Sequence, residues 1–207
     1  MLKVAVLDTE TTGLDPENHE IIQFGMIVYE GFGGTELEEL NFKIRPRNIE
    51  SASAEALAVN GYTEEGWVDA IELEDAVKEI QLTLKHVDVL IGHNLVFDIN
   101  FVERAFEMTS SKPPNWPPYY DTKAIASALN GRNSWRTSLD RLCEAYNVEF
   151  SGRAHTAIVD CERTMQIWLK LIDDAKTDGK MGLIRLYTSE NPYDPFGRRR
   201  GATVSSR

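Results

Sequence analysis

The chain has few cysteines and no long apolar run, and each absence excludes a class of protein. Only two of its 207 residues are cysteines, Cys143 and Cys161, and their spacing fits neither a disulfide scaffold nor a metal or redox motif. No apolar run approaches the roughly 20 residues that a membrane-spanning helix needs. The N-terminal segment becomes acidic at Asp8, too early for a secretory signal peptide. We therefore expect a cytoplasmic protein that does not enter a membrane.

Basic residues are also scarce. The chain holds 22 Lys and Arg residues against 33 Asp and Glu residues, which gives a net charge of -11. Four of the arginines, Arg198, Arg199, Arg200 and Arg207, lie in the last ten residues, which contain no acid. The rest of the chain therefore has no general attraction for a phosphate backbone. Two interpretations stay open here: an acidic protein that ignores nucleic acid, or one whose carboxylates hold cations.

The hydrophobic pattern predicts an α/β domain with a mixed sheet. Strands are predicted over residues 2–10, 21–29, 37–44 and 87–91. Short turns join the first three strands, as is typical of an antiparallel meander. Helices are predicted over residues 73–84, 95–108, 122–129, 138–146 and 156–174. Residues 112–118 contain four prolines and are predicted to form a loop.

Acidic side chains lie where predicted strands end. Asp8 and Glu10 close the first strand, and the two-residue period of a strand directs both to one face. Adjacent carboxylates repel each other, and hard divalent cations such as Mg²⁺ and Mn²⁺ relieve that repulsion. Asp98 follows the strand that ends at Gly92, near the start of the next helix. Taken singly, these residues also fit a polar strand end and an acid at a helix N-terminus.

The third acidic segment contains His155 and Asp160. Residues five apart on a helix lie about 140° apart around its axis, so these two cannot share a face of one helix. His155 is therefore predicted to precede the helix, on a mobile loop, with Asp160 inside the helix. A loop histidine can exchange protons near neutral pH. Taken alone, His155 is more typical of an ordinary surface loop than of a catalytic site.

Together the segments resemble the motifs of the DEDDh exonucleases, the DnaQ-like group that includes the proofreading subunit of bacterial replicative DNA polymerase. The segments are Asp8-Thr9-Glu10-Thr11-Thr12-Gly13-Leu14, His93-Asn94-x-x-Phe97-Asp98 and His155-x-x-x-x-Asp160. The resemblance implies a ribonuclease-H-like fold: a five-stranded mixed sheet, three antiparallel strands and then two more, flanked by helices. The resemblance spans roughly residues 4–171, and the composition after Thr188 changes to that of a tail. We therefore expect an exonuclease domain over residues 1–187, followed by a flexible basic tail over residues 188–207.

The resemblance also implies a reaction, the hydrolysis of phosphodiester bonds at nucleic-acid 3′ ends with release of nucleoside 5′-monophosphates. Two Mg²⁺ or Mn²⁺ ions would be held by four carboxylates. Asp8 would bridge both ions, Glu10 and Asp160 would complete the ion that holds the attacking water, and Asp98 would serve the other. His155 would be the general base. The implied substrate-binding residues are Thr11, Thr12, Leu14, His93, Asn94 and Phe97.

The sequence motifs do not decide the substrate or the partner. Single-stranded 3′ ends are expected, with DNA favoured over RNA because Thr11-Thr12-Gly13 resembles the DNA-acting branch of the family. One alternative is an RNA or oligoribonucleotide exonuclease. Another is a non-catalytic module that docks onto a polymerase or other replication protein through its tail. An unrelated metal-dependent phosphotransferase is disfavoured because the sequence has no P-loop.

Overall fold

A five-stranded mixed sheet forms the centre of the computed structural model, which describes residues 1–130 and 137–193. The strands are β1 (Lys3–Thr11), β2 (Ile21–Glu30), β3 (Glu36–Lys43), β4 (Val89–Gly92) and β5 (Tyr119–Asp121). Their order across the sheet is β3-β2-β1-β4-β5. β1 to β3 pair as an antiparallel meander, whereas β4 and β5 join in parallel. The sheet predicted from the resemblance is thereby confirmed.

Helices cover both faces of this sheet. They are α1 (Ala54–Asn60), α2 (Leu73–Leu84), α3 (Val96–Met108), α4 (Thr122–Leu129), α5 (Leu139–Tyr146) and α6 (Ala157–Thr177). The alternation of side chains along β1 divides the core into two layers. Ala5 and Leu7 face the layer that contains α2 and α3, whereas Val4 and Val6 face the layer that contains α6. The C-terminal end of β1 therefore lies between α3 and α6.

Two elements were not predicted from the hydrophobic pattern, namely β5 and α1. β5 has three residues and directly follows the proline-rich loop, so it is too short to show a period. α1 has seven residues, but the sequence marks both of its ends. The Ser53 hydroxyl accepts a hydrogen bond from the Ala56 N–H, and Gly61 ends the helix with a φ of 73°. A serine cap and a left-handed glycine are the usual helix boundaries.

The first turn of α6 lies directly on β2 at Gly25, the residue paired with Asp8. A Cβ atom at Gly25 would lie 2.6 Å from the carbonyl carbon of Ala157 and 2.7 Å from the nitrogen of Ile158. We expect Gly25→Ala to lower the free energy of unfolding by about 1–3 kcal/mol, because the clash is with backbone that cannot rotate away. Since this turn also carries Asp160, nuclease activity should fall as well.

Urea unfolding followed by circular dichroism would measure the effect of Gly25→Ala. Gly182→Ala is the matched control, because a Cβ atom at Gly182 meets no atom within 4 Å. Equal unfolding midpoints for the two variants would contradict the proposed close contact.

The segment after α6 returns to the edge of the sheet. The backbone N–H groups of Tyr187 and Tyr119 each donate to the other residue's carbonyl. The Tyr193 N–H donates to the Tyr119 hydroxyl. Residues 188–193 thus still contact the domain. The arginine run at 198–200 lies outside the described residues, so the flexible basic tail stays a prediction. No helix in the described part of the chain is long and apolar enough to cross a membrane.

Candidate active site

The end of β1 directs acids to one face and a threonine to the other. Asp8 and Glu10 lie on the side of α6, and Thr9 between them faces α3. The N–H and the hydroxyl of Thr9 both donate to the same Oδ1 atom of Asp98, at 2.9 and 2.7 Å. Asp98 is buried at the start of α3. Thr9 therefore fixes the third carboxylate beside the first two, a role that the sequence analysis did not assign to it.

A tight turn between β4 and α3 brings Asp98 to this position. Asn94 adopts a left-handed φ of 67°, which asparagine tolerates better than most residues. The next N–H, of Leu95, donates to a carboxylate oxygen of Asp121 at 2.8 Å. The other carboxylate oxygen of Asp121 caps α4 by accepting from the Ala124 N–H at 3.0 Å. In this structure Asn94 shapes the turn.

The start of α6 supplies the remaining two residues. Asp160 is buried in the first turn, and His155 precedes the helix, as predicted, with a left-handed φ of 60°. A ring nitrogen of His155 and one carboxylate oxygen each from Glu10 and Asp160 lie within 4.8 Å of one another. The structure thus places the base candidate beside two of the four acids.

All five predicted DEDDh residues line one open cavity of about 260 Å³. His93 and Phe97, two of the predicted substrate contacts, line it as well. The other four, Thr11, Thr12, Leu14 and Asn94, are not among its lining residues.

The two threonines instead hold the turn after β1 together. The Thr11 hydroxyl donates to the Gly13 carbonyl at 2.6 Å. The Thr12 hydroxyl accepts from the Glu20 N–H, and the Thr12 N–H donates to the Glu20 carbonyl, both at 2.9 Å. Leu14, by contrast, is 83% exposed. The contacts of these residues with a terminal nucleotide stay predictions.

Burial and mutual repulsion make the carboxylates unusually basic. Burial, followed by the charges of Asp98 and Asp160, raises the pKa of Asp8 well above its usual range. Burial and the charge of Asp160 raise the pKa of Glu10 to about 8, and burial raises the pKa of Asp98 to about 7. Burial also raises the pKa of Asp160, although a hydrogen bond from Arg163 opposes that shift. Four acids in this state are poorly accommodated without added positive charge.

Arg163 and Asp140 belong to the site although the sequence analysis did not single them out. Arg163 lies one turn after Asp160 on α6, and its side chain is 2% exposed. Its Nη1 atom donates to Asp160 Oδ1 at 2.6 Å, and its Nη2 atom donates to Asp140 Oδ1. Both residues line the cavity. The available signal was the i, i+3 spacing of an acid and an arginine on a predicted helix.

The donor set fits divalent cations. It consists of carboxylate oxygens and one imidazole, which suit Mg²⁺ and Mn²⁺. The raised pKa values of Asp8, Glu10 and Asp98 indicate a site with more negative charge than its own residues neutralise. The buried guanidinium of Arg163 donates to Asp160 of this set and lowers the pKa of Asp8, but its other hydrogen bond goes to Asp140. The residues present therefore match a cation-binding centre in both chemistry and charge.

Comparisons with known proteins agree with this arrangement. Residues 5–168 match the exonuclease family model RNase_T. The PolC-type DNA polymerase III of Thermotoga maritima is 31% identical over 191 residues, which is 91% of this chain but only 13% of that polymerase. Ribonuclease T of Shewanella oneidensis is 28% identical over 202 residues, covering 90% of this chain and 89% of the ribonuclease.

A solved structure shares the fold. The nuclease domain of 3′hExo, a DEDDh family member bound to rAMP, matches with a TM-score of 0.71 and 17% identity, covering 89% of this chain and 95% of that domain. The mixed sheet and the acids at the C-terminal end of its central strand define a nuclease of the ribonuclease-H-like class. Within that class, the chain belongs to the DEDDh, or DnaQ-like, 3′–5′ exonuclease family. It is therefore a phosphodiester hydrolase of a family that uses divalent metal ions.

Proposed function

We propose that the protein uses two Mg²⁺ or Mn²⁺ ions to remove nucleoside 5′-monophosphates from single-stranded 3′ ends, with DNA preferred over RNA. The observation that carries this proposal is the convergence of Asp8, Glu10, Asp98, His155 and Asp160 on one open cavity. The cavity is lined by acids with raised pKa values, which are suited to hold cations and to leave a phosphate as the remaining ligand.

Each of these residues has a distinct role in the proposed reaction. The charges of Asp98, Asp160 and Glu10 all act on Asp8. Asp8 would therefore contact both ions, one shared with Glu10 and Asp160 and the other with Asp98. When bound, the ions supply Lewis acidity and stabilise charge on the entering and leaving oxygens. Thr9 keeps Asp98 oriented through two hydrogen bonds. His155 accepts the proton of the attacking water, since its loop places the ring beside Glu10 and Asp160.

The proposal also names DNA as the preferred substrate and RNA as the second candidate. DNA is supported by the similarity to a polymerase whose name specifies DNA synthesis, and by the Thr11-Thr12-Gly13 segment. RNA is the second candidate, because ribonuclease T matches this chain along 89% of its own length. The similarity to PolC also supports a polymerase as a partner, although the chain spans only a small part of that protein.

Matched oligonucleotides test this proposal. A 5′-labelled 20-nucleotide DNA strand and the RNA strand of the same sequence would be incubated with Mg²⁺, Mn²⁺ or EDTA. We expect stepwise shortening from the 3′ end that requires the cation and is faster on DNA. Faster shortening of RNA would reassign the substrate, and no shortening of either strand would favour the non-catalytic, polymerase-associated alternative.

A further inference from the structure

We propose that Asp140 is a positioning residue: its carboxylate, fixed by Arg163, orients the imidazole of His155 for proton transfer. This inference rests on the proposed role of His155 as the general base. Asp140 lies outside the four-acid set, on the first turn of α5, and lines the same cavity.

One carboxylate oxygen of Asp140 faces His155, and the other binds Arg163. Asp140 Oδ2 lies 3.7 Å from His155 Nε2. Asp140 Oδ1 accepts a hydrogen bond from Arg163 Nη2. Since the two oxygens are engaged separately, the carboxylate can hold the guanidinium and face the imidazole at the same time.

Arg163 can hold this carboxylate in place because its own side chain is buried and bound on several sides. Its side chain is 2% exposed, and its second Nη atom donates to Asp160 at 2.6 Å. The guanidinium also lies over the Phe150 ring, 4.5 Å from the ring centroid. Asp140 itself is 55% exposed, so it depends on Arg163 for its orientation. The hydrogen bond from Arg163 lowers the pKa of Asp140, which keeps the carboxylate charged.

His155 needs such a partner because its own segment does little to hold the ring. The residue lies on the loop before α6, between Gly152 with a φ of 100° and the first helical residue. Its ring makes no hydrogen bond to any of the described residues within the loop. The carboxylate of Asp140 is therefore placed to decide which way the imidazole points.

The chemistry follows from the two ring nitrogens of a neutral imidazole. When Nε2 carries the proton and donates it to Asp140, the other nitrogen has a free lone pair. One proton then moves from water to that nitrogen, the water oxygen attacks phosphorus, and the 3′ oxygen of the shortened strand leaves with the bond's electron pair. Asp140 gains no proton and stabilises the imidazolium that forms. A separation of 3.7 Å in the free protein shortens to a hydrogen bond by a small rotation of the ring.

Asp140→Asn tests the inference, with Glu144→Gln as the matched control. Glu144 lies one turn further along α5, is exposed, and pairs with Arg141 at the surface. We expect Asp140→Asn to lower kcat about tenfold to a hundredfold, with KM for the oligonucleotide and Mn²⁺ affinity by calorimetry unchanged. Glu144→Gln should match the parent. Asp140→Glu retains the charge but moves the carboxylate by one methylene group, so kcat should fall less than in Asp140→Asn. This variant tests the orientation of His155 if Asp140→Asn does not fold.

A double-mutant cycle separates action through His155 from action through Asp160. In a His155→Ala background, Asp140→Asn should cause no further loss, because the residue that it orients is gone. An equal loss in both backgrounds would overturn the inference and indicate that Asp140 acts through Arg163 on the metal ligand instead.

The ring signals of His155 provide a readout that does not depend on turnover. The chain has four histidines, so His155→Ala identifies the resonances of His155 by their disappearance. Asp140→Asn should shift these resonances, and Glu144→Gln should not. Unshifted signals together with normal kcat would refute the inference about Asp140 alone. Full activity of His155→Ala would instead refute the proposed general base.

Discussion

Replacing Asp8 by asparagine is expected to abolish nucleotide release and, at the same time, to stabilise the metal-free protein. Loss of activity follows because Asp8 lies at the centre of the acidic cluster, with Asp98, Asp160 and Glu10 all acting on it. Divalent ions held by this cluster would contribute several kcal/mol to the stabilisation of the transition state. Since about 1.4 kcal/mol corresponds to a tenfold change in rate, we expect a fall of roughly a thousandfold or more.

The gain in stability has a separate cause. Burial and three neighbouring carboxylates raise the pKa of Asp8 well above its usual range, so its charged form is unfavourable in the folded protein. Asparagine has nearly the same shape and carries no charge. When no cation is bound, folding of the variant therefore avoids both this repulsion and the uptake of a proton that would relieve it.

Thermal unfolding in EDTA and in Mn²⁺ would measure this effect for Asp8→Asn. The midpoint should rise in EDTA and should respond less to the cation than that of the parent. Asp173→Asn, which removes an exposed acid from α6, is the control and should change neither activity nor the EDTA midpoint. A lower midpoint for Asp8→Asn in EDTA would show that the carboxylate stabilises the fold, against this prediction.

The residues of the acidic cluster could be predicted because their three segments together resemble the motifs of a known family, and the strand and helix periods agree with that resemblance. The alternation along β1 puts Asp8 and Glu10 on one face, and the helical period separates His155 from Asp160. Both constraints are local, so a single sequence reveals them. The burial of Val4 and Val6 against α6 could likewise be expected from an apolar strand.

What could not be predicted depends on contacts between segments far apart in the chain. Thr9 bonds to a residue 89 positions away, and Arg163 reaches Asp140 across 23 positions. The three-residue strand β5 exists because β4 offers it a parallel edge, which is not visible in its own sequence. In each case the tertiary fold, rather than a local period, determines the partner.

The pH dependence of stability provides the last prediction. In EDTA, the free energy of unfolding should fall as the pH rises from about 6.5 to 8. The pKa of Glu10 is raised to about 8 and that of Asp98 to about 7, so the folded protein binds protons that the unfolded chain has already released. Stability then decreases by about 1.4 kcal/mol per pH unit for each proton so retained. The decrease should slow above the pKa of Glu10.

His93 opposes this trend at the acidic end of the window. Burial lowers the pKa of His93 to about 3, so below about pH 6.5 the unfolded chain binds the proton that the folded protein lacks. That difference makes stability rise with pH, opposite to the effect of the carboxylates. As the pH rises beyond about 6.5, His93 in the unfolded chain loses its proton as well, and the carboxylates then determine the slope.

Divalent cations should reverse the trend, because they bind the ionised carboxylates and compete with protons. The stabilisation by Mn²⁺ or Mg²⁺ should therefore increase from pH 6.5 to 8. Urea unfolding at several pH values, in EDTA and in saturating cation, measures both slopes. Glu10→Gln removes one of the raised groups, so its slope in EDTA should be shallower than that of the parent. Stability that stays level or rises with pH in EDTA would mean that the four acids are not held close together in the free protein, and the cation site would then have to form only when the ions bind.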